Sequence, residues 1–266
     1  MVKNMFTSRS LTQLLLLVGS LVFSSFAIAE TKLGVSPIQI DLSPNVKTGV
    51  ITLVNKDKKP VNLQLDAKSW DMDDNGKFIE VDTGDFIFYP KTLTIAPQQS
   101  AIIRAGYMGE FPNVERPFRI IIEEIPEIIQ AKRESNKVKA GLVSALRLSI
   151  PLYVVSDNNI PPPQLELGGL KTEQNTLRVG VKNLTAYHVD LKRVSVKLLK
   201  QDKVLAEKAV DLQLQRVLGN RLVFINVPMG VKNLCNQADG LALQIDTNNL
   251  TAAYQKKLAL KPGCQL

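Results

Sequence analysis

Few residues of this chain could do chemistry: one histidine, His188, two cysteines, Cys235 and Cys264, and the run Asp71-x-Asp73-x-Asn75-Gly76 with Asp82 beyond it. Zinc sites take three or four ligands from His, Cys and carboxylates, so little is on offer for metal-centred catalysis. A hydrolase triad is restricted to the one histidine. The Asp71 run has the spacing that opens an EF-hand calcium loop, and Asp82 falls at the twelfth position, where a bidentate Glu is normal. Its flanks, 63–70 and 77–81, read as strands rather than helices, and Asn75-Gly76 is a strong hairpin signal. We therefore read a hairpin and no metal site. His188 follows Tyr187 in a strand-like stretch with no acid or nucleophile motif beside it, the setting of a structural histidine. Asn183-Leu184-Thr185 fits a glycosylation sequon. No acid, base and nucleophile set assembles from these residues, so the expectation is a non-enzyme without metal or cofactor.

The elements around them decide more. The chain has 266 residues, 45% hydrophobic and 22% charged, with a formal charge of +8, enough for one large domain or two medium ones. That charge points to an acidic or anionic partner. Residues 1–29 have a basic start (Lys3, Arg9), an apolar run of about 16 residues from Leu11 to Phe26, and Ala27-Ile28-Ala29. This is the pattern of a cleaved signal peptide, and the run is short of the ~20 residues that a spanning helix needs. Cleavage removes two cations and leaves +6. The expected product is exported, not stably inserted in a membrane, and oxidised, so Cys235 and Cys264 read as a disulfide. Closing their loop would stabilise the fold by roughly 3–4 kcal/mol in the chain-entropy model.

Beyond the signal, short alternating runs separated by Gly, Pro, Asn and Asp predict an all-β fold of two sandwiches. Ile160-Pro161-Pro162-Pro163 cannot join a central strand and reads as the linker. The domains are then 30–158, a linker at 159–163, and 164–266. Residues 130–140 are polar, basic and unpatterned. Nucleic-acid binding would interleave aromatics with those cations, and none is present, so they read as a solvated loop. In the strand that follows, Leu142, Ser144, Leu146, Leu148, Ile150 and Leu152 share one face. Those side chains either pack into their own sandwich or are offered to another protein by strand addition. Pro151 favours an edge position, since proline breaks a central ladder.

Taken in order, several segments resemble the periplasmic chaperones of chaperone–usher pilus assembly, the PapD-like family. They are Gly34 to Leu42 as first strand, Thr52-Leu53-Val54-Asn55, Tyr89 to Pro97, Ile103-Arg104, Glu115 to Ile120, Glu124-Ile125-Pro126, the basic loop, and the strand ending Ile150-Pro151-Leu152-Tyr153-Val154. Val181 to Val189 resembles the family's Asn-x-(Ser/Thr)-x-Tyr-x-Val strand. The loop and the Ser-Ile-Pro-Leu-Tyr ending suggest the archaic or alternative branch.

The resemblance implies two immunoglobulin-like sandwiches in an L- or boomerang-shaped arrangement, working in the periplasm. Its implied partners are pilus subunits, which lack a strand that the chaperone lends, and an outer-membrane usher. The implied donor residues are Leu142, Ser144, Leu146, Leu148 and Ile150. The family's first-strand arginine and donor-strand lysine, which hold a subunit's C-terminal carboxylate, fall here on Gln39 and Pro151. The anchor must therefore lie elsewhere, with Arg119 expected first, then Arg116 and Arg104. A different class of protein, an exported Ig-like pilus subunit or adhesin, is the alternative. It would carry an N-terminal donor extension and form polymers on gel filtration where a chaperone stays monomeric.

Overall fold

The computed structural model describes residues 32–73, 77–125, 145–156, 160–173, 175–229 and 234–264. In the first sandwich the strands are β1 (Leu33–Ser36), β2 (Ile40–Leu42), β3 (Thr48–Asn55), β4 (Val61–Met72), β5 (Phe78–Asp82), β6 (Phe86–Tyr89), β7 (Thr92–Ile95), β8 (Ser100–Tyr107), β9 (Arg116–Glu124) and β10 (Arg147–Val154). One sheet runs β1-β3-β8-β6 and the other β2-β10-β9-β4-β5, with β7 also paired to β4. In the second sandwich they are β11 (Leu165–Glu173), β12 (Thr176–Asn183), β13 (Val189–Lys200), β14 (Lys203–Val217), β15 (Leu222–Pro228), a short helix α1 (Leu234–Gln237), β16 (Gly240–Thr247) and β17 (Tyr254–Ala259). Its sheets run β11-β12-β15 and β14-β13-β16-β17.

The period-two pattern explains the layers. In β3, Ile51 and Leu53 are buried while Val50 is exposed, so one face meets the opposing sheet and the other meets water. Ile103, Leu63, Leu65, Ile120, Ile122 and Leu152 complete that core from both sheets. The segment from Gly34 to Leu42, expected as a single strand, is two. Its first part pairs with β3 in one sheet, and after Pro37 its second part pairs in parallel with β10 in the other. Pro90 marks a second change of sheet, between β6 and β7. Proline has no N–H to give a ladder, so each strand stops where the chain crosses.

Each sandwich is tied at one corner by a buried asparagine. Asn55 Nδ2 donates to the carbonyls of Lys59 (2.8 Å) and Ile95 (2.9 Å), and its Oδ1 accepts the Asp57 N–H. Asn183 Nδ2 donates to Tyr187 (2.7 Å) and Val217 (3.2 Å), and its Oδ1 accepts the Thr185 N–H. Both residues are fully buried, so the Asn183 sequon is a structural corner in which the amide is already committed. Cys235 and Cys264 form the expected disulfide, with Cα atoms 4.7 Å apart, and fasten α1 to the segment after β17. No helix among the described residues is long and apolar enough to cross a membrane.

Candidate functional site

Among the described residues, part of one edge of β10 has no strand beside it. Along its whole length β10 pairs antiparallel with β9, from Arg147↔Glu123 to Val154↔Arg116. Its other edge meets β2 only at Leu152, Tyr153 and Val154. Glu124 N–H donates to Leu146 C=O, and Val155 N–H donates to Leu42 C=O. Antiparallel pairing alternates, so even-numbered residues of β10 bond to β9 and odd-numbered ones face the other way. Arg147 and Ser149 therefore turn N–H and C=O to the open edge, and Pro151 turns only its C=O there.

The apolar face of β10 is graded along the strand. Leu152 is fully buried and Ile150 is 5% exposed in the protein's own core. Leu148 packs only partly against that core, and Leu146 is half-buried just before the strand. Ile150, expected among the donor residues, is thus already spent inside the first sandwich. Leu142 and Ser144 lie outside the described residues, as does the basic loop before them.

The opposite face of this sheet turns toward the second sandwich. Trp70, Met72 and Tyr153 join that sandwich's buried cluster rather than the core of their own. The Tyr153 ring stacks on His188 at 3.8 Å, and burial pushes its phenol up. Glu115 accepts both the His188 backbone N–H (2.9 Å) and a hydrogen bond with Nδ1 (2.7 Å), so the histidine fastens the two sandwiches together. Arg221 forks onto Asp71 across the same boundary and holds that carboxyl below its usual range. Asp71 is therefore committed to an arginine. Asp82 contacts Lys68, Asn75 and Gly76 are outside the described residues, and no metal-binding cluster occurs among the described residues. A cavity of ≈ 340 Å³ lies between Trp70, Glu115, Arg116, Gly219 and Arg221.

The three expected anchors separate. Arg119 on β9 stands directly across from Pro151. Its guanidinium lies 4.1 Å over Trp70 and 4.6 Å over Phe78 and donates to Ser149 Oγ at 3.3 Å. Burial pushes its pKa down, the cations Arg216 and Arg147 push the same way, and Glu80 opposes them. Its Nε is buried without a hydrogen-bond partner, and no carboxylate lies within ion-pair distance among the described residues. Arg116 is already engaged by Asp85 and the Tyr107 hydroxyl. Arg104 is on β8, in the sheet that does not contain β10.

Sequence reasoning missed Arg216. From β14 its guanidinium forks onto Asp190 (2.6 and 2.8 Å), reaches Gln39 Oε1 (2.7 Å) and lies 5.1 Å over Tyr153. Burial alone would lower its pKa, but the Asp190 hydrogen bonds reverse that and hold it above the ordinary value. Arg216 and Gln39 are 177 residues apart, and no local pattern joins them.

Residues 32–158 match the family described as pili and flagellar-assembly chaperone, PapD N-terminal domain. The first sandwich belongs to the PapD-like chaperone N-terminal domain family. Solved structures similar to it include the CsuC–CsuE chaperone–tip adhesion subunit pre-assembly complex from archaic chaperone–usher Csu pili of Acinetobacter baumannii. That match has 16% identity and a TM-score of 0.54, covering 85% of this chain and 97% of the other. The Salmonella enterica SafA pilin in complex with the SafB chaperone gives 13% identity and a TM-score of 0.52, covering 88% and 99%. The E. coli chaperone DraB gives 17% and 0.50, covering 87% and 97%. At these identities the likeness is one of fold, and it extends the PapD-like architecture through the second sandwich. No curated protein sequence matches the chain.

Proposed function

We propose that this PapD-like chaperone works in the periplasm after cleavage of its signal peptide. There it captures pilus subunits by lending the open edge of β10 as their missing strand and hands them to an outer-membrane usher. The observation that carries this reading is the interrupted pairing of β10, open from Arg147 to Pro151 and closed by β2 from Leu152 onward. Main-chain groups of Arg147 and Ser149 offer the hydrogen bonds of strand addition, and Leu146 and Leu148, continued by Leu142 and Ser144, offer the apolar plugs. Each leucine fully buried in a subunit contributes about 1.5–3 kcal/mol before association costs. Arg119, half-buried, held between two aromatic rings and free of a carboxylate partner among the described residues, is the anchor for the subunit's terminal carboxylate. The basic loop and the Ser-Ile-Pro-Leu-Tyr ending at 149–153 support the archaic or alternative branch.

Handover needs a second protein-binding face away from β10. The outer face of β3, β8 and β6 supports one: Val50, Ile87, Tyr89 and Ile102 are 48–76% exposed on neighbouring strands, with Arg104 among them. The test is co-expression with candidate subunits. Leu146→Asp combined with Leu148→Asp should leave a folded protein that no longer co-purifies with its subunit. Undiminished recovery of the subunit would overturn the donor-edge reading.

A further inference from the structure

The open edge of β10 has a fixed end, and a residue of the second sandwich holds it. Pairing of β10 with β2 begins at Leu152↔Ile40, and continuing that parallel register places Gln39 level with Pro151. Arg119 stands level with Pro151 on the other side. Gln39 is held from two directions. Its Oε1 accepts from Arg216 Nη2 at 2.7 Å, and its Nε2 donates to Asp41 at 3.0 and 3.1 Å. Arg216 is itself fixed by its fork onto Asp190, the two side chains being 11% and 18% exposed. A line of side chains, Asp190, Arg216, Gln39 and Asp41, thus runs from β13 and β14 across to β2 and closes the end of the strand-addition edge.

We propose that Arg216 is a positioning residue for subunit capture: by clamping Gln39 it sets where an added strand must stop, and so presents that strand's terminal carboxylate to Arg119. The inference rests on the donor-edge reading above. The charge on Arg216 is largely answered by Asp190, so its part is to hold the stop in place, while Arg119 keeps the capacity for a carboxylate. A strand too long by a residue or two meets the Gln39–Arg216 clamp and cannot place its terminus beside Arg119. The second sandwich therefore reads the length of the subunit without contributing a strand to it.

The test uses the full mature chain and the subunit that co-purifies with it, in native length and with two residues added at its C-terminus. The wild-type chain should release the extended subunit about tenfold faster than the native one. Gln39→Ala removes the clamp without leaving a buried charge, and Arg216→Lys keeps the charge but cannot fork onto Asp190 and reach Gln39 together. Both should bring the two release rates together, with the thermal unfolding of the free Gln39→Ala protein little changed. A merely structural brace would speed release of both subunit forms alike and keep their ratio. An unchanged tenfold ratio in both variants, or no length discrimination by the wild type, overturns the stop while the donor-edge reading stands. Failure of the wild-type chain to retain any subunit overturns both.

Discussion

The two halves of β10 share one pattern of alternation and have opposite fates. From Leu152 to Val154 the strand has a neighbour on each side, and its apolar side chains are fully buried. From Arg147 to Pro151 it has a neighbour on one side only among the described residues, and its apolar face passes from buried at Ile150 to half-buried at Leu148 and Leu146. The difference lies in what stands beside the strand, not in the strand's own residues. β2 ends the open stretch, and β2 reaches that position because the chain crosses sheets after Pro37. One alternating strand can therefore be flanked on both sides in one half and on one side in the other.

The largest effect expected from breaking this contrast comes from proline. Ile150→Pro removes an N–H that bonds to β9 and should destabilise the first sandwich by about 3 kcal/mol or more. Ser149→Pro removes one that faces the open edge, so it should keep most of the stability in urea unfolding while subunit recovery collapses. Equal destabilisation by the two would contradict the assigned alternation. Next, Leu152→Ala should cost about 2–5 kcal/mol, as a cavity in a closed core does. Leu146→Ala should cost well under that in unfolding yet reduce subunit retention more. At the junction between the halves, Arg119→Ala should weaken subunit capture about tenfold while Arg104→Ala leaves it unchanged. Equal, wild-type-like yields from both would reject Arg119 as the anchor. The smallest effect belongs to Arg147, whose exposed pairs with Glu123 and Glu80 should make Arg147→Ala worth less than about 1 kcal/mol in unfolding, and less again at high salt.

Much of this fold was legible in local pattern, and the limits of that legibility have a physical cause. Alternation marked β3, β8, β9, β12 and β13, and the proline run 161–163, read as a linker, falls between β10 and β11. The pairing of Cys235 with Cys264 followed from composition and compartment. Which sheet a strand joins was not legible, because a strand that crosses between sheets at Pro37 alternates like one that does not. The cross-sandwich contacts, Glu115 with His188 and Asp71 with Arg221, join residues 73 and 150 positions apart, and each partner reads locally as an ordinary polar residue on a strand. Ile150 shared its periodicity with Leu146 and Leu148, and alternation alone did not tell that it packs within the core of the first sandwich.

Pro151 has a consequence for solubility. An open strand edge is a template on which further chains can stack without limit, the route to fibrils. Here the template has a terminator built in at its C-terminal end. The proline can accept a hydrogen bond but cannot donate one, and the residues beyond it are already occupied by β2. A ladder begun at Arg147 runs out of donors within the same strand, which limits how far another copy of the chain can stack on this edge.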